Sequence, residues 1–175
     1  MMKSKGPVFE LGARVVLNDC RFALLELKRN PAGEHWRILL VASCALLRTV
    51  AEALFKVDMD NPLHPPELRK AVNDFYDELG TSNPKPQIYW EFIREHANKI
   101  LHEYDLRETQ GITARPTGEN HPITGTKKME ITGRSYTIRT GPYQGKDPRD
   151  VIEEAIDWWD DQLSDIECKA ASKYL

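Results

Sequence analysis

Apolar residues recur at helical spacing in five stretches of this chain and alternate in one short region. Leu11, Val15, Leu17, Phe22, Leu24, Leu25 and Leu27 predict a first helix over about Phe9 to Lys28, broken by Asn30-Pro31-Ala32-Gly33. A second helix, about Glu34 to Val57, is the most apolar segment. Trp36, Leu39, Leu40, Leu46, Leu47, Val50, Ala53, Leu54 and Val57 leave a thin polar stripe of Arg48, Glu52 and Lys56, as expected at the centre of a bundle. Pro65 and Pro66 suit the first turn of a short third helix carrying Leu68, Val72, Phe75, Tyr76 and Leu79, with Gly80 as its stop. A fourth helix begins near Gln87. Along Tyr89–Asp105, Trp90, Ile93, Ala97, Ile100, Leu101 and Tyr104 fall on one side, and Glu91, Arg94, Glu95, Asn98, His102 and Asp105 on the other.

From Glu108 to Lys146 glycine, proline and threonine become frequent and the period drops to two. Met129 and Ile131 alternate with polar neighbours, as do Tyr136 and Ile138, and Gly133-Arg134 between them is a turn signal, so a β-hairpin is expected. The last helix starts with Asp147 as N-cap and Pro148 at its first position. Its buried stripe is Ile152, Ala155, Ile156, Trp159, Leu163 and Ile166. The expected fold is mainly α: a single-domain antiparallel helical bundle with a β-hairpin inserted before the C-terminal helix. The bundle core covers about residues 9–105, the hairpin excursion 108–146 and the last helix 147–173.

With 175 residues, 41% hydrophobic and 29% charged, the chain has the size and composition of one folded domain. A net charge of −3 provides no global field for nucleic acid, so any such contact needs a local patch. The three cysteines, Cys20, Cys44 and Cys168, lie far apart with no metal-ligand spacing, and Cys44 reads as a core residue. No metal site and no cofactor are expected. The N-terminus lacks the pattern of a signal peptide, and the apolar run Ile38–Leu47 is short for a bilayer, so a cytoplasmic protein without a membrane partner is expected. Gly-rich phosphate loops, HExxH and the nucleophile elbow are missing from the sequence, and the pairs Asp160-Asp161 and Glu153-Glu154 have no partner marking them as catalytic.

The remaining chemistry lies on the fourth helix, where arginine, amide and imidazole along one stripe suit either a phosphodiester site or a solvated face. The run Ala97-Asn98-Lys99-Ile100-Leu101-His102-Glu103-Tyr104 resembles the signature of the HEPN superfamily: an arginine, a polar residue that is often Asn, about three more residues, a histidine, and frequently a tyrosine two positions on. Asn98, His102 and Tyr104 match, whereas the arginine position is Ala97. Trp36–Asp58, with Leu46-Leu47-Arg48, also resembles a core helix of such proteins, and the likeness spans about Phe9 to Asp105. It implies a helical homodimer in which motif residues of two subunits converge and cleave RNA without metal, the arginine stabilising phosphate charge and the histidine moving a proton. Alanine does neither. Arg94 is the candidate substitute, about 12 Å along an α-helix from His102 and therefore dependent on a dimer partner to close the distance.

Arg29-Asn30-Pro31-Ala32-Gly33-Glu34-His35 and Arg115-Pro116-Thr117-Gly118-Glu119-Asn120-His121 have the same arginine-to-histidine spacing, but proline and glycine keep both from presenting their ends on a helix. Arg48 and Glu52 read as an i,i+4 pair. Trp159 reads as core and Trp158 as a residue at a packing seam. Lys127, Lys128, Arg134, Arg139 and Lys146 make the hairpin locally basic, and with Tyr136 and Tyr143 they suit either a phosphate backbone or a protected sheet edge. The expected function is a non-catalytic or weakened HEPN-like module binding a protein or single-stranded RNA. The alternatives are a metal-independent endoribonuclease using His102, Asn98 and Arg94, and a purely structural interaction protein.

Overall fold

The computed structural model describes residues 10–104, 106, 108–120 and 122–171. Phe9, Asp105 and His121, and the predicted end at 172–173, lie outside the described residues. The chain divides into two compact units: a helical unit, Met1–Leu106 with Ile152–Leu175, and a hairpin unit, Arg107–Val151. The fold is mainly helical, with a two-stranded antiparallel hairpin before the C-terminal helix, as the sequence predicts.

Helix α1 (Gly12–Lys28) buries Ala13, Leu17, Cys20, Ala23, Leu24 and Leu27, and the chain leaves it through Asn30 at φ 59°. Burial pushes the Cys20 thiol up to about 12. Helix α2 (Glu34–Ala53) follows Gly33, whose φ of 58° and ψ of −119° favour glycine. It runs on into a π-helical turn, Leu54–Asp58. Asp58 is buried and its carboxylate accepts the backbone N–H groups of Gly12 (2.7 Å) and Ala13 (3.0 Å), capping α1 from a distant part of the chain.

Helix α2 is less buried than its sequence suggests. Trp36, Leu40, Cys44, Leu47 and Val50 are in the core, but Ile38 is 59% exposed and Val41, Ala42, Ala45 and Leu46 are half-buried. Helix α1 and the fourth helix cover two of its sides, which leaves apolar surface on a third. The continuous helix Glu34–Asp58 is long and apolar enough to cross a membrane by length and composition, while 39% of its most apolar window is buried within the fold. Core helices of bundles have the same composition.

Helix α3 (Pro66–Thr81) has Pro66 at its first position and buries Leu68, Ala71, Val72, Phe75 and Leu79. It passes through Gly80, the expected stop, and ends at Ser82, whose ψ of 141° is extended. Pro84, which has no backbone N–H with which to continue a helix, follows two residues later. The Tyr76 hydroxyl donates to Ala51 O (2.9 Å), tying α3 to α2.

The fourth helix is π-helical over Ile88–His96 and α-helical over Ala97–Glu103 (α4), ending at Tyr104 with φ 53°. Its buried face is Ile88, Phe92, Ile93, His96, Ala97 and Ile100. Leu101 and Tyr104, expected inside, are 41% and 61% exposed, while His96 is buried and stacked on Phe92. A π turn holds more than four residues, so positions aligned at α spacing drift around the axis.

Helix α5 (Pro148–Ala171) begins as expected, with Asp147 Oδ1 accepting the Arg149 N–H at 2.9 Å. Trp159 is fully buried and its indole N–H donates to Leu47 O (3.1 Å); Trp158 is half-buried. Arg14, Arg21 and Lys28 recur at heptad spacing on α1 and meet Glu167, Asp160 and Glu153 at the same spacing on α5, fixing the two helices antiparallel. Arg14 holds Glu167 in a fork (2.8 and 2.7 Å) and also reaches Asp160 and Ser164. Desolvation raises Asp160, but the bonds from Arg21 and Arg14 outweigh it and hold its carboxyl below the usual range. A depressed folded value stabilises above the unfolded carboxylate range and is lost as pH falls through it. Arg14→Ala is therefore expected to cost roughly 1–2 kcal/mol at neutral pH, discounted for the half-exposed partners, and visibly less near pH 3. Urea unfolding at the two pH values measures this.

In the hairpin unit, β1 (Glu108–Asn120) pairs antiparallel with β2 (Lys127–Ile138). The expected turn at Gly133-Arg134 is misplaced: both residues lie within β2, and the chain reverses between Asn120 and Lys127. Gly118 precedes that reversal and Gly125 lies within it, at φ 83° and 67°, whereas Gly133 stands beside a bulge where Thr113 faces it and Ala114 faces Ile131. Tyr136, Ile138 and Tyr143 are buried, while Ile112, Met129 and Ile131 are half-exposed or more.

Candidate functional site

The residues expected to act on phosphate diverge around the fourth helix. Ala97, at the arginine position of the motif, is 1% exposed and points into the core, whereas His102 is exposed. Five α-helical steps separate them by about 140° around the axis. Asn98 lies one turn before His102 on the same side and is half-buried, with its amide oxygen buried and lacking a hydrogen-bond partner among the described residues. Arg94 is exposed, and its guanidinium carbon lies 4.7 Å from the ring centroid of Trp90, one turn towards the N-terminus and away from His102. Within one chain the structure brings Asn98 near His102 but brings neither Arg94 nor position 97 to them.

The hairpin residues are also dispersed. Lys127 and Arg134 fall on one face of the sheet and Lys128 on the other, because the bulge at Thr132 changes the alternation between them. Lys128 pairs with Glu119 (3.1 Å), and Arg115 with Glu130 (3.0 Å). Tyr136 is 4% exposed, with Arg149 over its ring at 5.8 Å, so its face is unavailable for stacking on a base. Arg139 lines a shallow depression with Ser135, Thr137 and Gln144.

A different group of residues does converge. Tyr89 and Trp90 open the fourth helix, their rings edge to face at 5.5 Å. Tyr89 also packs against Trp158 (5.4 Å) and Trp159 (5.9 Å) of α5. Lys85, in the loop before the helix, places its ammonium 4.7 Å from the Trp90 centroid, matching Arg94. Burial pushes the Tyr89 phenol up, Arg94 and, more weakly, Arg48 pull it down, and Glu52 raises it. The Glu52 carboxyl is held below its usual range mainly by its bond to Lys56, with the charge of Arg48, one turn earlier, adding to it. Among the described residues Lys85 and Arg94 have no carboxylate partner.

This cation–aromatic cluster draws on a loop, the fourth helix and α5, which is why sequence order conceals it. Its one linear trace is Lys85, Tyr89, Trp90 and Arg94 within a short stretch. Among the described residues, no group of three His, Cys, Asp or Glu side chains is placed to hold a metal ion. The chain matches no family model, no curated protein and no solved structure.

Proposed function

We propose that this chain is a non-catalytic, HEPN-like binding module that works as a homodimer and takes an RNA or protein partner through its helical unit. The observation that carries the reading is the divergence of Ala97, buried at 1% exposure, from the exposed His102. A phosphodiester-cleaving site needs its charge-stabilising group and its proton-transfer group within reach of one phosphate. Here the first position faces the core and carries a methyl group. The dimer is supported by the apolar surface left uncovered on Ile38 of α2 and on Leu101 and Tyr104 of the fourth helix.

Mixed single-stranded RNA incubated with the purified chain in EDTA is expected to remain intact, with wild type and His102→Ala indistinguishable. Cleavage by the wild type that disappears in His102→Ala would overturn the proposal in favour of an endoribonuclease built on His102, Asn98 and Arg94. Sedimentation is expected to give twice the chain mass of 20.1 kDa.

A further inference from the structure

Resting on the binding-module reading and naming the chemistry of its partner, we infer that the outer face of the α1–α5 pair docks a basic amphipathic helix of another protein. Val15, Phe22 and Leu25 stand on the side of α1 turned away from the core and are 49%, 66% and 58% exposed. Seven and three residues separate them, which are the a and d positions of a coiled-coil seam, with Asn18 at the remaining d position. Phe22 is the most exposed aromatic side chain among the described residues and makes no ring contact there. With 17 residues, α1 offers a seam of about 25 Å on which a second helix can lie side by side. Three large apolar side chains aligned in this way form a continuous stripe, where a scattered exposed residue would need no explanation.

The charges beside the seam select the partner. On one side stands Asp19, exposed and without a basic partner among the described residues. On the other side the cations of α1 are taken up by α5: Arg14 by Glu167, Arg21 by Asp160 and Lys28 by Glu153. Beyond that line α5 carries Asp157 and Asp161, both exposed and without a basic partner among the described residues. They precede by seven and three residues Ser164, which Arg14 reaches, and so share its outer side of the helix. Because Arg21 joins Asp160, Phe22 lies level with these two aspartates. An apolar seam thus runs between two acidic rims. The chain's excess of acidic over basic residues also lies in the helical unit, whereas lysine and arginine outnumber aspartate and glutamate in the hairpin unit. Nucleic acid and anionic lipid are repelled from such a face. A second copy laid on the same seam, parallel or antiparallel, sets acidic rim against acidic rim, which opposes self-association there. A helix with aliphatic a and d residues and lysine or arginine at e and g fits, because it covers the three apolar side chains and brings opposite charge to both rims.

The test is fluorescence anisotropy of a labelled synthetic helix of about 21 residues, leucine at a and d and lysine at e and g, titrated with the full chain. Saturable binding at micromolar protein is expected, weakened about tenfold or more in Phe22→Asp. Asp157→Lys/Asp161→Lys is expected to weaken it about fivefold and to reduce its dependence on salt. Ile38→Asp on α2 and Lys127→Glu/Lys128→Glu in the hairpin are expected to change it less than about twofold. Every substituted position is exposed, circular dichroism confirms that each variant is folded, and Phe22→Leu is expected to retain most of the affinity. Failure of the folded wild type to bind the peptide overturns the inference. Equal binding of a peptide with glutamate at e and g overturns it, as does equal binding of one that keeps the lysines but has glutamine at a and d. Loss of binding in Ile38→Asp with Phe22→Asp unaffected also overturns it, and leaves the binding-module reading standing with a different surface. A dimer that Phe22→Asp dissolves in sedimentation makes the seam an interface between copies and overturns it likewise. RNA cleavage dependent on His102 would overturn the binding-module reading without altering the peptide result, so the two failures are distinguishable.

Discussion

Replacing Asp58 by alanine is expected to cost about 3 kcal/mol, because two helix N–H groups lose a charged acceptor inside the protein. Asp58 is 1% exposed and its two oxygens serve Gly12 and Ala13 separately, at 2.7 and 3.0 Å. The first N–H groups of a helix have no acceptor within the helix, and Leu11 at the N-cap supplies none from its side chain. The positive end of the helix dipole favours a carboxylate there. The carboxylate is packed closely against the start of α1, where a Cβ on Gly12 would stand 3.2 Å from Asp58 Oδ1. His64 adds support from behind, its Nδ1 lying 2.9 Å from Asp58 O. For a chain of this size the loss corresponds to a fall in Tm of roughly 6–12 °C. Asp58→Asn keeps one acceptor oxygen and is expected to lose about half as much. Thermal and urea unfolding followed by circular dichroism measure both, and a loss under about 1 kcal/mol for alanine would show that solvent satisfies these donors.

The contacts that organise the bundle were unevenly legible in the sequence. Helices α1, α2, α3 and α5 follow from apolar periodicity and from Asn30-Pro31, Pro66 and Asp147 at their ends. Asp58 was hidden because its partner is far away in the chain, and nothing local distinguishes a capping aspartate from a loop residue. The heptad series Arg14, Arg21, Lys28 and Glu153, Asp160, Glu167 was present in the sequence, but it becomes meaningful only when α1 and α5 are neighbours. Strand β1 was obscured by Gly111, Pro116 and Gly118; a two-stranded sheet is all edge, so proline is tolerated there. The glycine at 133 signalled a turn because a bulge and a turn use the same residue. At the candidate site, Trp159 was recognised as core and Trp158 as a seam residue. Glu52 lies one turn from both Arg48 and Lys56, and the structure gives its ion pair to Lys56 while the Arg48 charge still acts on it.

Introducing arginine at position 97 completes the motif as a string and is expected to damage the protein instead of activating it. Ala97 is 1% exposed, with Ile93 and Ile100 buried one turn away on either side. A guanidinium there must either displace close-packed neighbours or remain charged in the core, and each alternative costs about 3 kcal/mol or more. The long stem can extend towards solvent and recover part of this, which sets the expected loss for Ala97→Arg at about 3–5 kcal/mol. Asn98→Arg, one residue further around the helix and only half-buried, is expected to cost less than about 1 kcal/mol. Neither variant is expected to cut RNA in EDTA. The pair separates two explanations of the alanine. If Ala97→Arg is as stable as wild type and cleaves RNA in a His102-dependent way, the buried position opens in the working dimer, and loss of the arginine alone silenced a nuclease. If it unfolds while Asn98→Arg remains folded and inert, position 97 belongs to the core, and no single substitution on this helix restores a phosphate site beside His102.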